Sequence, residues 1–243
     1  MRVKIVFGYD GEKFNGFQIL PNKRTIQGEL EKALTKLLNE EIKIIASGRT
    51  DAGVSAIYQV AHFDTTSTII ATNISYSVNK ILPKDIRVFS SKKVSDNFHA
   101  RFSAKEKTYR YLFYEGEHLN PYFERTMLWV KGKLDLEKMK TASKYLIGKH
   151  DFSAFSTEDE EVKNHVRTIK SIEINKNEAV FSIKITGNAF LYNMVRIIVG
   201  TLIDVGTNKI PVDEVKTILL SKKRSMAGKL VSPKPLCLIN VKY

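Results

Sequence analysis

Between Ile185 and Ile203 the chain carries a single charged side chain, Arg196, near the centre of an otherwise apolar window. In a bilayer that arginine would cost about 2.5 to 3.5 kcal/mol, and Asn188 and Asn193 add to the penalty. The window therefore reads as a helix buried inside protein, over about Ala189 to Val205. A helix apolar on nearly every side must be wrapped by other elements, so the rest of the chain has to supply a large core. With 243 residues, 43% apolar and 27% charged, it can do so. That balance excludes a chain that is mainly disordered.

The flanking segments predict which elements do the wrapping. Val3, Ile5 and Phe7 alternate as a strand, and YDGEKFNG supplies a turn. Thr25 is a plausible N-cap for a helix carrying Ile26, Leu30, Ala33, Leu34, Leu37 and Leu38. Strands are expected over Ile42–Ala46, Tyr58–Phe63 and Ile86–Val94, with a helix over Asn73–Leu82 closed by Pro83. In the second half, Thr108–Tyr114, the hairpin Arg167–Ile174 with Ala179–Ile185, and Leu236–Val241 read as strands. Leu136–Ile147 and Val212–Leu220 read as helices. Strands alternating with helices and hairpins predict an α+β fold with helices on one face of each sheet. No low-complexity or Pro-rich linker divides the chain, so residues 1–104 and 105–243 are expected as two lobes rather than tethered beads.

Charge narrows the partners. Lys and Arg total 39 against 26 Asp and Glu, a formal net charge of +13, and the two halves carry +5 and +8. Two basic halves suit a polyanion, foremost nucleic acid, although ordinary solubility charge reads the same way. Cys237 is the only cysteine, so the chain forms no internal disulfide, and no Cys/His spacing fits zinc. The start, MRVKIVFGYD, alternates like a strand rather than a leader. A reducing cytoplasm is the expected compartment, with no membrane attachment.

Three features could carry chemistry. In SGRTDAGVSA, Gly48 and Gly53 bracket Arg49, Thr50 and Asp51, presenting an acid beside a base at a strand end; taken alone, the segment reads first as a tight turn in which Asp51 caps nearby amides and Arg49 is solvated. Arg196 cannot shed its proton. It needs a carboxylate from outside its own window, Asp51 being one candidate, or else its head snorkels to water. In FHARFSAKEKTYRYLFY, Arg101, Lys105, Lys107 and Arg110 interleave with Phe102, Tyr109, Tyr111, Phe113 and Tyr114. Such a pattern can hold phosphates and stack bases, yet strand alternation alone would bury most of the aromatics. Walker A, GxGxxG, HExxH and GxSxG patterns are absent. His62, His99, His118, His150 and His165 show no ligand spacing, and the acidic run Glu158–Glu161 reads as a solvated loop.

Taken together, SGRTDAGV, FHARFSAKEKTYRY and GNAFLYNMVRIIVGTL, with YDGEKFNGFQ, GKHDFSAFS and VRTI in this order, resemble the tRNA pseudouridine synthase A family over nearly the whole chain. The resemblance implies an isomerase without cofactor or metal that converts uridine to pseudouridine in the tRNA anticodon stem-loop. It also implies two sheet-and-helix lobes around a basic central cleft, and a homodimer that binds tRNA. Carried over residue by residue, Asp51 matches the catalytic aspartate and nucleophile. Tyr109 matches the tyrosine that stacks on the target uracil, and Arg196 the cation that pairs with the aspartate. Arg49 and Arg101 match positions that contact RNA or hold the flipped nucleotide, and Arg24 is counted with them. The chain departs from the family at Ser55, where His is usual, at Leu20, where Gln is common, and in a looser C-terminal GKLVSPKPLCL. The same reaction on another RNA, a noncatalytic RNA-binding module, or a nucleoside glycosidase using Asp64 as its second carboxylate are the competing readings.

Overall fold

The computed structural model describes residues 1–157 and 164–243, and the acidic run Glu158–Glu161 lies outside the described residues. The chain forms two compact α+β units. The first comprises Met1–Lys105 together with Cys237–Tyr243, and the second Glu106–Leu236.

In the first unit, strands β1 (Arg2–Tyr9), β2 (Ile45–Ala46), β3 (Ser55–Asp64), β4 (Ile86–Val94) and β10 (Leu236–Lys242) accompany helices α1 (Ile26–Leu38) and α2 (Ala71–Val78). The strand order is β4-β1-β3-β10, with β2 against β3. The register places Val3, Ile5 and Phe7 opposite Phe63, Ala61 and Gln59 of β3, all six of them buried. Helix α1 starts as expected, with the Thr25 hydroxyl accepting from the Gly28 N–H at 3.3 Å. It buries Ile26, Leu30, Ala33, Leu34 and Leu38, and ends where Asn39 turns left-handed at φ +54°.

The strand expected over Ile42–Ala46 shrinks to two residues for a specific reason. The N–H groups of Ile42 and Ile44 are taken by Thr35 and Glu31 side chains of α1, at 3.0 and 2.9 Å, and so leave the ladder. The helix expected over Asn73–Leu82 begins two residues earlier and ends at Val78. Asn79 then turns its amide onto both backbone groups of Val88 at 2.8 and 2.9 Å.

The last strand corrects the sequence division. A boundary at residue 104 puts everything after it in the second lobe, whereas β10 runs parallel to β3, with Cys237 opposite Ser55 and Leu238 opposite Ala56. It closes the first unit because an apolar strand, with Leu236, Leu238 and Val241 buried, needs a paired neighbour to satisfy its backbone.

The second unit holds strands β5 (Glu106–Gly116), β6 (Leu128–Lys131), β7 (Gly148–Asp151), β8 (Val166–Asn177) and β9 (Val180–Gly187). Its helices are α3 (Leu136–Lys144), α4 (Met194–Gly206) and α5 (Glu214–Ser221). The order is β5-β9-β8-β7, with β6 parallel to β5. The predicted hairpin is β8 and β9, turning through Glu178 at φ +52°. Strands β6 and β7 are four residues each and lack a readable alternation. The apolar window between Ile185 and Ile203 splits between the end of β9, a loop and α4. No helix among the described residues is long and apolar enough to cross a membrane.

Candidate active site

The loop from Ser47 to Val54 leads from β2 into β3, and side chains rather than a ladder hold it. Gln59 is fully buried in β3, facing the core opposite Phe7. Its Oε1 accepts from the Ser47 hydroxyl at 2.6 Å and from the Val60 N–H at 3.0 Å, while its Nε2 donates to the Gly48 carbonyl at 3.1 Å. From β1, the buried Tyr9 phenol meets the Thr50 hydroxyl at 2.8 Å. Burial raises the Tyr9 pKa above its ordinary value, so the phenol stays neutral. The Phe17 N–H donates to the Thr50 carbonyl at 3.0 Å.

Asp51 follows Thr50 and opens a turn in which the Val54 N–H returns to the Asp51 carbonyl at 3.1 Å. Gly53 takes φ +80° there, as the third residue of a type II turn requires. The turn is pressed against Gly11, where a Cβ would lie 2.2 Å from the Val54 carbonyl oxygen. Ser55, the departure from the usual His, helps to fasten the two segments together, since its hydroxyl accepts from the Gly11 N–H at 3.0 Å. Asp51 is thus a partly buried carboxylate on a loop clamped from two sides, with exposed Arg49 two residues before it.

Arg101 is exposed on the turn after β4. Arg24, counted with the RNA-binding positions, is held by two carboxylates. Its Nη1 and Nη2 donate to Asp85 at 2.7 and 2.9 Å, its Nε donates to Glu29 at 3.0 Å, and it lies 4.1 Å from the Phe14 ring centre. The hydrogen bonds to Asp85 raise its pKa further, against the cost of burial. Asp85 is in turn held below the ordinary carboxylate range by Arg24. Arg24 therefore ties the start of α1 to the start of β4.

In the second unit, alternation along β5 buries Tyr109, Tyr111 and Phe113 on one face, as strand geometry demands. Tyr111 donates to the Ser232 carbonyl at 2.8 Å, and Phe113 stacks on Phe181 with ring centres 5.0 Å apart. Tyr109 ends this row, edge-on to Phe190 at 5.3 Å. The helix that carries Arg196 begins at Met194, five residues later than expected, because Asn193 adopts φ +60° and cannot continue a helix backwards. Arg196 consequently sits in the first turn of α4 rather than at the centre of an apolar rod. Its Nε donates to the Val231 carbonyl at 2.8 Å and its Nη1 to the Asn193 Oδ1 at 2.6 Å. Asn193 is itself oriented by the Thr157 hydroxyl at 3.0 Å.

Sequence reasoning does not single out the braces Gln59, Tyr9 and Gly11. One signal points to the first of them: an amide at a core-facing position of an apolar strand has to bond to something.

Within the first unit, a partly buried carboxylate on a clamped loop suits acid–base or nucleophilic chemistry. The profile described as tRNA pseudouridine synthase matches residues 5–103 and 142–243. Proteins named tRNA pseudouridine synthase A from Bacillus licheniformis and Bacillus subtilis are each 45% identical over 245 residues, covering 100% of this chain and 99% of each relative. The one from a Thermoanaerobacter species is 45% identical over 241 residues, covering 99% of both chains. The chain belongs to the tRNA pseudouridine synthase family.

Proposed function

We propose that this protein isomerises uridine to pseudouridine in the anticodon stem-loop of tRNA, with Asp51 as the nucleophilic carboxylate. The observation that carries the assignment is the clamped Asp51 loop in a chain of this family: three side-chain hydrogen bonds, at Ser47, Gly48 and Thr50, and a glycine contact hold the loop that presents the acid. In the reaction the bond from ribose C1′ to uracil N1 breaks, the base turns, C1′ bonds to C5, the C5 proton leaves to water and N1 takes up a proton from water. No atoms are gained or lost, so no co-reactant is needed. The uridine must first leave the helical stack, and Tyr109 is assigned to stack on it and to assist removal of the C5 proton. Arg196 is assigned to keep the carboxylate ionised, since a nearby cation favours the charged form. Arg49 and Arg101 are assigned to the RNA backbone or the flipped nucleotide. The enzyme is taken to act as a homodimer in the cytoplasm.

The test is tritium release from a tRNA transcript labelled at uridine C5. Asp51→Asn should fold and bind tRNA while losing turnover by at least about 10⁴-fold, the scale on which removal of an essential nucleophile acts. Retained turnover would remove Asp51 from the chemistry. Release of free uracil would favour the glycosidase reading, and tRNA binding by the unaltered protein without release of tritium would favour the noncatalytic module.

A further inference from the structure

Phe102 is 77% exposed, the most exposed phenylalanine among the described residues, and the turn carrying it is unusually well held. Five consecutive N–H groups are satisfied. His99 donates to the Ser103 hydroxyl at 3.1 Å, and Ala100 to His62 Nδ1 at 3.1 Å. Arg101 and Phe102 both donate to His99 Nδ1 at 3.2 Å, and Ser103 donates to the His99 carbonyl at 2.8 Å. The Ala100 carbonyl accepts from the Tyr243 phenol at 2.8 Å, and the Phe98 carbonyl from Arg2 Nη1 at 3.0 Å. Ala100 is completely buried, whereas its neighbours Arg101 and Phe102 point outward.

The Phe102 ring lies on the His99 imidazole, with centres 4.3 Å apart and planes 26° from parallel. His99 in turn meets the buried His62 edge-on at 5.0 Å. One face of Phe102 is backed by the imidazole, and the Arg101 guanidinium is 5.8 Å from the ring centre. A flexible loop would fold such a ring away from water; this turn keeps it out.

We propose that Phe102 is a stacking platform for one unpaired nucleobase of the RNA substrate, with Arg101 on an adjacent phosphate. The proposal rests on the tRNA reading above. A single rigid ring matches the area of one base, while a protein partner needs about 800 Å² of surface per side. The exposed charges beside it in sequence, Arg101 and Lys105, are both cations, which favours a polyanion. Because the ring is pre-positioned, stacking on it loses little further side-chain freedom. Both histidines accept through Nδ1 from backbone N–H groups of the turn.

The experiment measures the affinity of the full-length protein for an unmodified tRNA transcript over a range of salt concentrations. Phe102→Leu should weaken binding by about 5- to 150-fold, the range of one lost base stack, with an unchanged slope of affinity against salt. Phe102→Trp should stay within about twofold of the unaltered protein, because the flat face is restored. Arg101→Gln should instead reduce the salt slope by about one. Unchanged affinity in Phe102→Leu, or an equal loss in Phe102→Trp, overturns the platform. A shift in sedimentation of Phe102→Leu with affinity per protomer unchanged also overturns it, assigning the ring to a contact between copies. Turnover of the unaltered protein on the same transcript separates the two levels. Without turnover but with the stacking losses, the isomerase reading fails alone; with turnover and no stacking loss, the platform fails alone.

Discussion

Replacing Gln59 by Leu tests whether the Asp51 loop is held by one buried amide. The side chains are close in volume, so packing is largely kept and the change is polar. Three hydrogen bonds disappear, to Ser47, Gly48 and the Val60 N–H. At about 1 kcal/mol net each, the loss is about 3 kcal/mol. For a chain of this size that lowers the melting temperature by about 6 to 12 °C. Asp51 lies three residues beyond Gly48, and a misplacement of about 1 Å costs catalysis on the order of 100-fold. Gln59→Leu should therefore lower kcat in the tritium-release assay at least tenfold at a temperature where it is fully folded, with little change in tRNA affinity. Leu34→Ala in α1 is the control: it empties a fully buried position at a cost of about 2 to 5 kcal/mol and should leave kcat near normal below its melting range. A stability loss under about 1 kcal/mol, or equal kcat losses in both variants, would refute the reasoning.

Two further outcomes are expected. Gly11→Ala should destabilise by about 1 to 3 kcal/mol, read as a lower denaturant midpoint, because its Cβ would press on backbone, 2.2 Å from the Val54 carbonyl oxygen; an unchanged midpoint would show that the two turns separate easily. Stability should fall as pH drops below about 6.5, the ordinary histidine value, because the His62 pKa is lowered by burial first, then by Arg2 and His99, against weaker opposing effects of Asp64 and the Ile45 backbone. The folded form then binds fewer protons than the unfolded chain. The contribution is complete above the ordinary value and is lost as pH falls toward the lowered one. His62→Asn, an uncharged acceptor at this position, should flatten that dependence in denaturation curves taken from pH 7.5 to 5.5.

What can be read from the sequence follows from which forces act locally. Alternation in β1, β4 and β5 and the Thr25 cap of α1 are legible because strand pleat and helix capping act within a few residues. The partner of β10 is not, since nothing local distinguishes a strand that pairs with β3 from one that pairs nearer in sequence. Asp51 and Arg196 stand out because a polar residue in a glycine-bracketed turn, or a cation in an apolar window, needs an explanation. The arginine's setting escapes sequence reasoning for one reason: a left-handed Asn193 cannot be anticipated from apolar periodicity, and it moves Arg196 from mid-helix to the first turn. That shift changes the energetics, because a first-turn arginine can direct its head past the helix end, where Asn193 and the Val231 carbonyl receive it.

The Asp51 loop and the Phe102 turn solve one problem in the same way. Neither segment lies in a ladder, so its backbone groups must find partners elsewhere or incur a desolvation cost of about 1 to 3 kcal/mol each. Gln59 supplies one in the loop, at the Gly48 carbonyl, and His62 and His99 supply them in the turn. Each of these side chains bonds in its neutral form and reaches out from, or lies beside, a strand of the first unit. Stiffness at the two places thus depends on a few uncharged polar groups that the sheet fixes in direction. For that reason a substitution such as Gln59→Leu, made outside the loop itself, should register in turnover before it registers in RNA binding.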